Sequence, residues 1–527
     1  MNIFREYFKK YQQYWLPLSL VFILGIGIFF RTINYSDLLI FQSDQSRDAL
    51  IIHKAIEGGV GNLPLIGPQA RDSNLHLGPI FYYFQYISGK IFGESPEGFA
   101  YPDLFFGILT LPLLYLFLRK FVSRRLSLGV VLLASTSFFL VSFSRFAWNP
   151  NSLQFFSTFA AYSFLSALEN TGKKRSWFLV GAALATGIIL QLHFVAALSL
   201  FGGLFFFLIF SRALSIREAI LACFLVLVVQ TPTLIYEFQS DGSTARAFVE
   251  TVDEKGTKDA GHSLYEKVFR AYQENASAFW LVATGQQNTE TILTRGFSLK
   301  CDKECRGALP VTLFVYLIFT LAIVIFIATW KSCKNKEGGE KILFVGLWFI
   351  SFLVVSILLA YQISTRFFLS ITPIFFLIIA LSIRRLLDIR RKYGIVGSHL
   401  LLCALIISNI YATTIYLRDL SKSKSSFAES KKDLVFGTEP KVTLGQLRYL
   451  ASKTSDELIV GDPVFVSGES RYARSLYYLL SAEEGHGGCY MKGSVDVPIL
   501  VNHVIVKKNK GRDDNSNSFG PSPIFTT

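Results

Sequence analysis

The sequence predicts an all-α polytopic membrane protein with about eleven spanning helices. Three observations carry that prediction. Of 527 residues, 51% are hydrophobic and only 17% charged, with 50 Phe, whereas a soluble domain carries about a quarter charged residues. Apolar stretches long enough to cross about 30 Å of hydrocarbon recur near 15–34, 101–118, 126–143, 152–168, 177–195, 197–210, 218–235, 309–330, 342–361, 367–383 and 395–416. The basic residues then sort by side. With the N-terminus in the cytoplasm, six short segments between spans (1–14, 119–125, 169–176, 211–217, 331–341 and 384–394) hold 21 of the 52 Lys and Arg. The intervening short loops hold only Arg145 and Arg366. The net charge of +14 is therefore the positive-inside signature and not a nucleic-acid footprint.

Each element follows from its local pattern. Arg5, Lys9 and Lys10 precede the first apolar run without a small-residue cleavage site, which reads as an uncleaved signal anchor. An odd number of spans places the C-terminus outside, in a plasma (inner) membrane. Residues 1–416 form the transmembrane module, with outer segments 35–100 and 237–308. Residues 417–508 form a small extracytoplasmic α/β domain, and 509–527 a polar, disordered tail. In the first outer segment, Ala49, Ile52, Ala55 and Ile56 line one face of a helix over 45–57. The aromatic-rich stretch 79–87, opened by a proline, reads as a second helix lying at the interface. In the C-terminal domain, Leu444, Leu447 and Ala451 mark one helix and Tyr472, Leu476 and Leu479 another, with strands at 457–466 and 499–506.

The span centres hold almost no Asp, Glu, Lys or Arg, which argues against a transport pathway. The polar chemistry gathers at outer ends. Asp44, Arg47 and Asp48 are spaced i, i+3 and i+4 and share a helical face. They read either as a base beside an anion-binding cation or as a helix cap with a wet face. His76 precedes the aromatic helix. Arg145, Trp148, Asn149 and Asn151 lie in SRFAWNPN, where Arg suits a phosphate, Trp a sugar face and the amides hydroxyls; the alternative is an interfacial anchor with a snorkelling Arg. His193 ends the fifth span, and Tyr361 and Arg366 border the late loop. Asp103, at the start of the second span, is either a second carboxylate of the site or a boundary residue. No HxxxH, HExxH or CxxC spacing is present, so no preformed metal site is expected. Cys301 and Cys305 are spaced for a local disulfide, and Asn275-Ala276-Ser277 matches the glycosylation pattern.

In order, these motifs resemble the GT-C superfamily of membrane glycosyltransferases over about residues 15–385. More narrowly, they resemble the dolichyl-phosphate-mannose protein mannosyltransferases and the lipid A aminoarabinose transferase. The matching features are the acidic SDQSRD after the first span, two interface helices with HLGP before the second, SRFAWNPN, QLH, and Tyr361…Arg366-Phe367…Pro373. The resemblance implies inverting transfer from a polyprenyl-phosphate sugar to a protein, lipid or glycan acceptor on the outer face. It assigns Asp44 as general base, with Arg145, Arg366 and Arg47 at the donor phosphate. Asp48, His76, Asp103, Trp148, Asn149, Asn151, His193 and Tyr361 would line the sugar and acceptor pocket. The chain carries Gln45 where those families often have Glu, and Asn149 and Asn151 where they often have Asp. With fewer carboxylates, metal dependence is not expected; a loosely held divalent cation at Asp44 is the exception left open. Two other classes stay open: a flippase for lipid-linked glycans, and an O-antigen-type polymerase or ligase using Arg246, His262 and Arg270 of the long outer loop.

Overall fold

The computed structural model describes residues 2–70, 74–211, 213–258, 261–286, 293–295, 298–300, 303–333, 338–389, 391–422, 443–457, 464–467, 470–481, 489–491 and 505–508. Cys301, the side chain of Cys305, and the tail 509–527 lie outside the described side chains and residues. The helices run α1 (Asn2–Thr32), α2 (Ser43–Gly58), α3 (Ile80–Phe92), α4 (Pro96–Leu118), α5 (Arg124–Thr136), α6 (Phe138–Ser142), α7 (Leu153–Glu169), α8 (Gly172–Leu192), α9 (Phe194–Ser211), α10 (Ile216–Val229) and α11 (Thr231–Gln239). They continue as α12 (Ser243–Lys258), α13 (Leu264–Thr284), α14 (Lys303–Cys333), α15 (Gly339–Leu358), α16 (Thr372–Asp388), α17 (Arg391–Lys422), α18 (Leu444–Glu457) and α19 (Ser470–Ser481).

Among the described residues, eight helical segments are long and apolar enough to cross a membrane. The pair α10 and α11 is apolar enough to cross when taken together, but is bent by 63° where Pro232 opens α11. Leu18, Phe22, Ile220, Phe224, Leu400 and Ile407 stand exposed on the outer faces of these helices, a surface that lipid tolerates and water does not. The protein is an integral membrane protein built almost wholly of helix.

One expected span folds differently from a single long helix. The run 126–143 breaks at Ser137 into α5 and the short α6. A break at that depth frees backbone groups that hydrocarbon cannot satisfy, and α17 supplies both partners. Asn409 Oδ1 accepts the Phe138 N–H (3.1 Å), and the Thr413 hydroxyl donates to the Thr136 carbonyl (3.1 Å). The run 152–168 forms α7, 17 residues long, packed against α8.

The interface helices are α2 and α3. The segment expected as a long outer loop holds the 21-residue α13, which packs on α14, α15, α16 and α17. A Ser263–Glu266 capping box starts it, and Gly285 ends it in the left-handed conformation (φ 73°) with its N–H on Leu281 O (2.8 Å). Asn275 of the glycosylation pattern is fully buried in α13, its amide donating to Ala271 O at 2.8 Å. A β-hairpin follows, β1 (Leu293–Arg295) against β2 (Ser298–Lys300).

At the C-terminus, β3 (Val464–Ser467) lies between β4 (Cys489–Met491), parallel, and β5 (Ile505–Lys508), antiparallel. The helices of this segment dock on the first loop. Ile40 bridges Thr443, Leu444 N–H donates to Leu39 O (2.8 Å), and Gly445 N–H to Asp37 O (3.1 Å). Arg448 clasps Glu97, at the start of α4, with Nη1 and Nη2 donating to its two carboxylate oxygens (2.5 and 2.8 Å). The hydroxyl of Ser36 joins the same cluster, and α19 packs along α2.

Candidate active site at the end of the bundle

Residue Gln42 is extended (φ −114°, ψ −166°), and α2 begins immediately after it. The side chain of Gln45 reaches back to accept the Gln42 N–H (3.0 Å), satisfying a donor that the helix start leaves orphaned. Asp44 sits in the first turn, where a carboxylate meets the positive end of the helix dipole. As the spacing predicts, Asp44, Arg47 and Asp48 share a face. Arg47 bridges the two carboxylates, 3.1 Å from Asp44 and 2.8 Å from Asp48. Their exposures separate them: Asp44 is 48% exposed and Asp48 1%. Asp48 also accepts the Tyr82 hydroxyl (3.0 Å).

Burial lifts the Asp48 carboxyl to about 6, against the downward pull of Arg47. Its folded value lies above its unfolded one of about 3.9. The resulting stability is fully present below about pH 4 and is lost as pH rises through about 6. In Asp48→Asn this dependence disappears. We expect the difference in unfolding free energy between wild type and variant to change by up to about 3 kcal/mol between pH 4 and 7, read from melting in detergent across that range.

Facing α2 across an open cleft of about 320 Å³ is the loop after α6. Ile40, Gln42, Ser43, Asp44 and Gln45 form one wall, Phe146 and Trp148 the other. The loop is held from below. Asp103, 1% exposed, accepts the Trp148 backbone N–H (2.9 Å) and the Ser152 hydroxyl (2.6 Å). Asn151 donates to Phe146 O (2.7 Å) and Asn149 to Leu192 O (2.9 Å). The guanidinium of Arg366 lies 5.0 Å from the Trp148 ring centre and 5.5 Å from that of Phe367, a cation–π seat. His193 meets the Phe367 ring edge-on at 4.7 Å. Four chain segments thus bring Asp44, Trp148, Asn149, His193 and Arg366 to the end of the bundle where α1 and α8 finish.

Several of the expected residues make their contacts within the protein. Arg145, expected at a phosphate, is 2% exposed and caps α1, donating to the carbonyls of Phe30 (3.1 Å), Arg31 (2.9 Å) and Ile33 (2.8 Å). Asp103, Asn149 and Asn151 are buried and hold the loop in shape, while Trp148 offers its ring to Arg366. Asp48 is buried behind the cleft. His76 faces Gly67 O (3.0 Å). Tyr361 stacks on His262 at 3.7 Å. Of the residues that suggested a polymerase, Arg270 pairs with Glu274 along α13 (2.6 Å). Among the described residues no three His, Cys, Asp or Glu side chains converge as a metal site.

Two residues escaped sequence reasoning. Arg31 is fully buried in α1, its Nη1 donating to Gly27 O (3.1 Å) and Ser135 O (3.0 Å). Gln191 of the QLH motif accepts the Ile80 N–H at the start of α3 (2.9 Å), takes the Gly78 N–H on its backbone (3.0 Å), and donates to Val229 O at the α10–α11 bend. A side chain at Gly78 would collide with it.

Residues 76–236 match the sequence model of the dolichyl-phosphate-mannose-protein mannosyltransferases. That stretch contains HLGP, SRFAWNPN and QLH, and stops short of Asp44 and Arg366. No curated protein matches the sequence. Among solved structures, apo ArnT from Cupriavidus metallidurans aligns with TM-score 0.50 and 12% identity, over 92% of this chain and 87% of ArnT. ArnT bound to undecaprenyl phosphate aligns with TM-score 0.50 and 12% identity, over 92% and 86%. The archaeal oligosaccharyltransferase AglB from Archaeoglobus fulgidus, in complex with an inhibitory peptide and a dolichol-phosphate, gives TM-score 0.50 and 14% identity. That alignment covers 89% of this chain and 64% of AglB. The chain is therefore an integral membrane protein with the fold of the GT-C glycosyltransferases, carrying a segment similar in sequence to the dolichyl-phosphate-mannose-protein mannosyltransferases.

Proposed function

We propose that this protein is a glycosyltransferase that moves a sugar from a polyprenyl-phosphate donor to an acceptor at the outer face of the plasma membrane, with inversion at the anomeric carbon. The observation that carries the reading is the half-exposed Asp44 carboxylate on the wall of a cleft whose opposite wall, Trp148, seats the Arg366 guanidinium. A carboxylate on one wall of a cleft and a cation seated on the Trp148 ring of the other wall suit attack on a sugar whose leaving group is a phosphate. Asp44 takes the proton of the acceptor hydroxyl as its oxygen bonds to the anomeric carbon. The bond to the phosphate oxygen breaks, its electron pair leaves with the polyprenyl phosphate, and Arg366 meets the developing charge. Because a phosphate leaves readily, no strong general acid is required. The mechanism routes no step through a metal.

The test offers purified protein in lipid vesicles a labelled polyprenyl-phosphate hexose or pentose together with a panel of protein, lipid and glycan acceptors, and scores free polyprenyl phosphate. Release establishes the class; no release with any donor from folded protein overturns it. Under this reading Arg366→Ala lowers kcat/KM by about 10²-fold. Arg366→Lys recovers little of the loss, since an ammonium cannot reproduce the planar seat on Trp148; full recovery with Lys would remove the planar guanidinium from the assignment.

A further inference from the structure

We propose that Gln45 is a positioning residue that sets the width of the cleft, and that its amide cannot be replaced by a charged carboxylate. The inference rests on the glycosyltransferase reading and deepens it at the same site. The Gln45 side chain is buried, 6% exposed, and each end of its amide has one partner. Its Oε1 accepts the Gln42 N–H at 3.0 Å, and its Nε2 donates to the Ala147 carbonyl at 3.0 Å.

Those partners belong to opposite walls. Gln42 caps the helix that presents Asp44 and is itself held by the Tyr472 hydroxyl, 3.2 Å from its Nε2. Ala147 lies between Phe146 and Trp148, the two residues that form the facing wall. The partners also fix which way round the amide sits: an N–H needs an acceptor and a carbonyl needs a donor. One planar group therefore spans the gap between the base and the ring that carries Arg366.

An ionised Glu of the same length would accept from Gln42 as well as Gln45 does. It would also set an anionic oxygen against the Ala147 carbonyl, in a place with little water to screen the repulsion. Only the protonated acid restores a donor there. The neighbouring charges on α2, Asp44 and Asp48 with Arg47 between them, do not provide that donor. Burial raises a carboxyl's pKa, so the restored state lies within a pH range that can be tested.

The experiment compares Gln45→Glu and Gln45→Ala with wild type in reconstituted vesicles from pH 5 to 8, each rate expressed relative to wild type at the same pH. At pH 8 both variants are expected to lose about tenfold in kcat. Toward pH 5 Gln45→Glu recovers to within about threefold of wild type and Gln45→Ala does not, a divergence that simple loss of packing would not produce. Equal profiles for the two variants, or wild-type turnover by Gln45→Glu at pH 8, overturn the proposal. Hydrogen exchange of the Ala147–Trp148 amides, corrected for intrinsic rates, gives a readout independent of turnover. Faster exchange in Gln45→Ala at every pH, and in Gln45→Glu only at high pH, supports the bridge even if wild type transfers no sugar, an outcome that would defeat the functional reading alone. Unchanged exchange in both variants overturns the bridge.

Discussion

Asp44→Asn is expected to lower sugar transfer by about 10²- to 10⁴-fold, the usual contribution of a positioned general base, with no change in membrane insertion or melting. The two halves of this expectation have different physical grounds. Asn keeps the size of the side chain and its place in the first turn of α2 but cannot take a proton. The folded state loses only a half-exposed ion pair with Arg47, and such pairs contribute about 0–1 kcal/mol. A melting temperature matching wild type, together with lost release of polyprenyl phosphate, assigns the base. Full turnover in a well-folded Asp44→Asn preparation would remove Asp44 from that role.

The opposite pattern is expected for Arg145→Ala. Its guanidinium donates three hydrogen bonds to carbonyls at the end of α1 from a nearly inaccessible position. Hydrogen bonds to a charged group contribute about 1.5–3 kcal/mol each, and the truncation leaves buried carbonyls without donors. A loss of about 3 kcal/mol or more in stability follows, seen as a large drop in melting temperature and in yield of folded protein. The folded fraction retains its KM for the donor. A donor KM raised tenfold in a variant of unchanged stability would show that Arg145 binds phosphate after all.

Arg145 also shows where a sequence stops being informative. A guanidinium binds phosphate oxygens and helix-end carbonyls through the same donors, so SRFAWNPN reads equally well as a ligand site and as a cap. The choice depends on where α1 ends in space. The elements whose cause is local were legible: the apolar spans, the first interface helix from its periodicity, the second from its proline and aromatics, and the shared face of Asp44, Arg47 and Asp48 from their spacing. What was not legible has a tertiary cause. Nothing near Ser137 signals the break between α5 and α6, because its partners Asn409 and Thr413 lie some 270 residues further on. The first half of α13 is polar enough to read as a loop, since its neighbours α14 to α17 supply the apolar surroundings. Within the site, the exposed position of Asp44 and the loop that carries Trp148 were legible. The division of labour among the arginines, between cap, ion pair and ring seat, was not.

The docking of Thr443, α18 and α19 on residues 36–45 also orders the protein's assembly in time. The wall that bears Asp44 is tied to Thr443, Leu444 and Tyr472, which are synthesised about four hundred residues after it. N-terminal parts of a chain generally fold first, so the bundle helices are in place while this corner still lacks its partners. The wall that bears Asp44 is thus completed only after residue 472 has been synthesised, and shorter nascent or truncated chains carry Asp44 without these contacts.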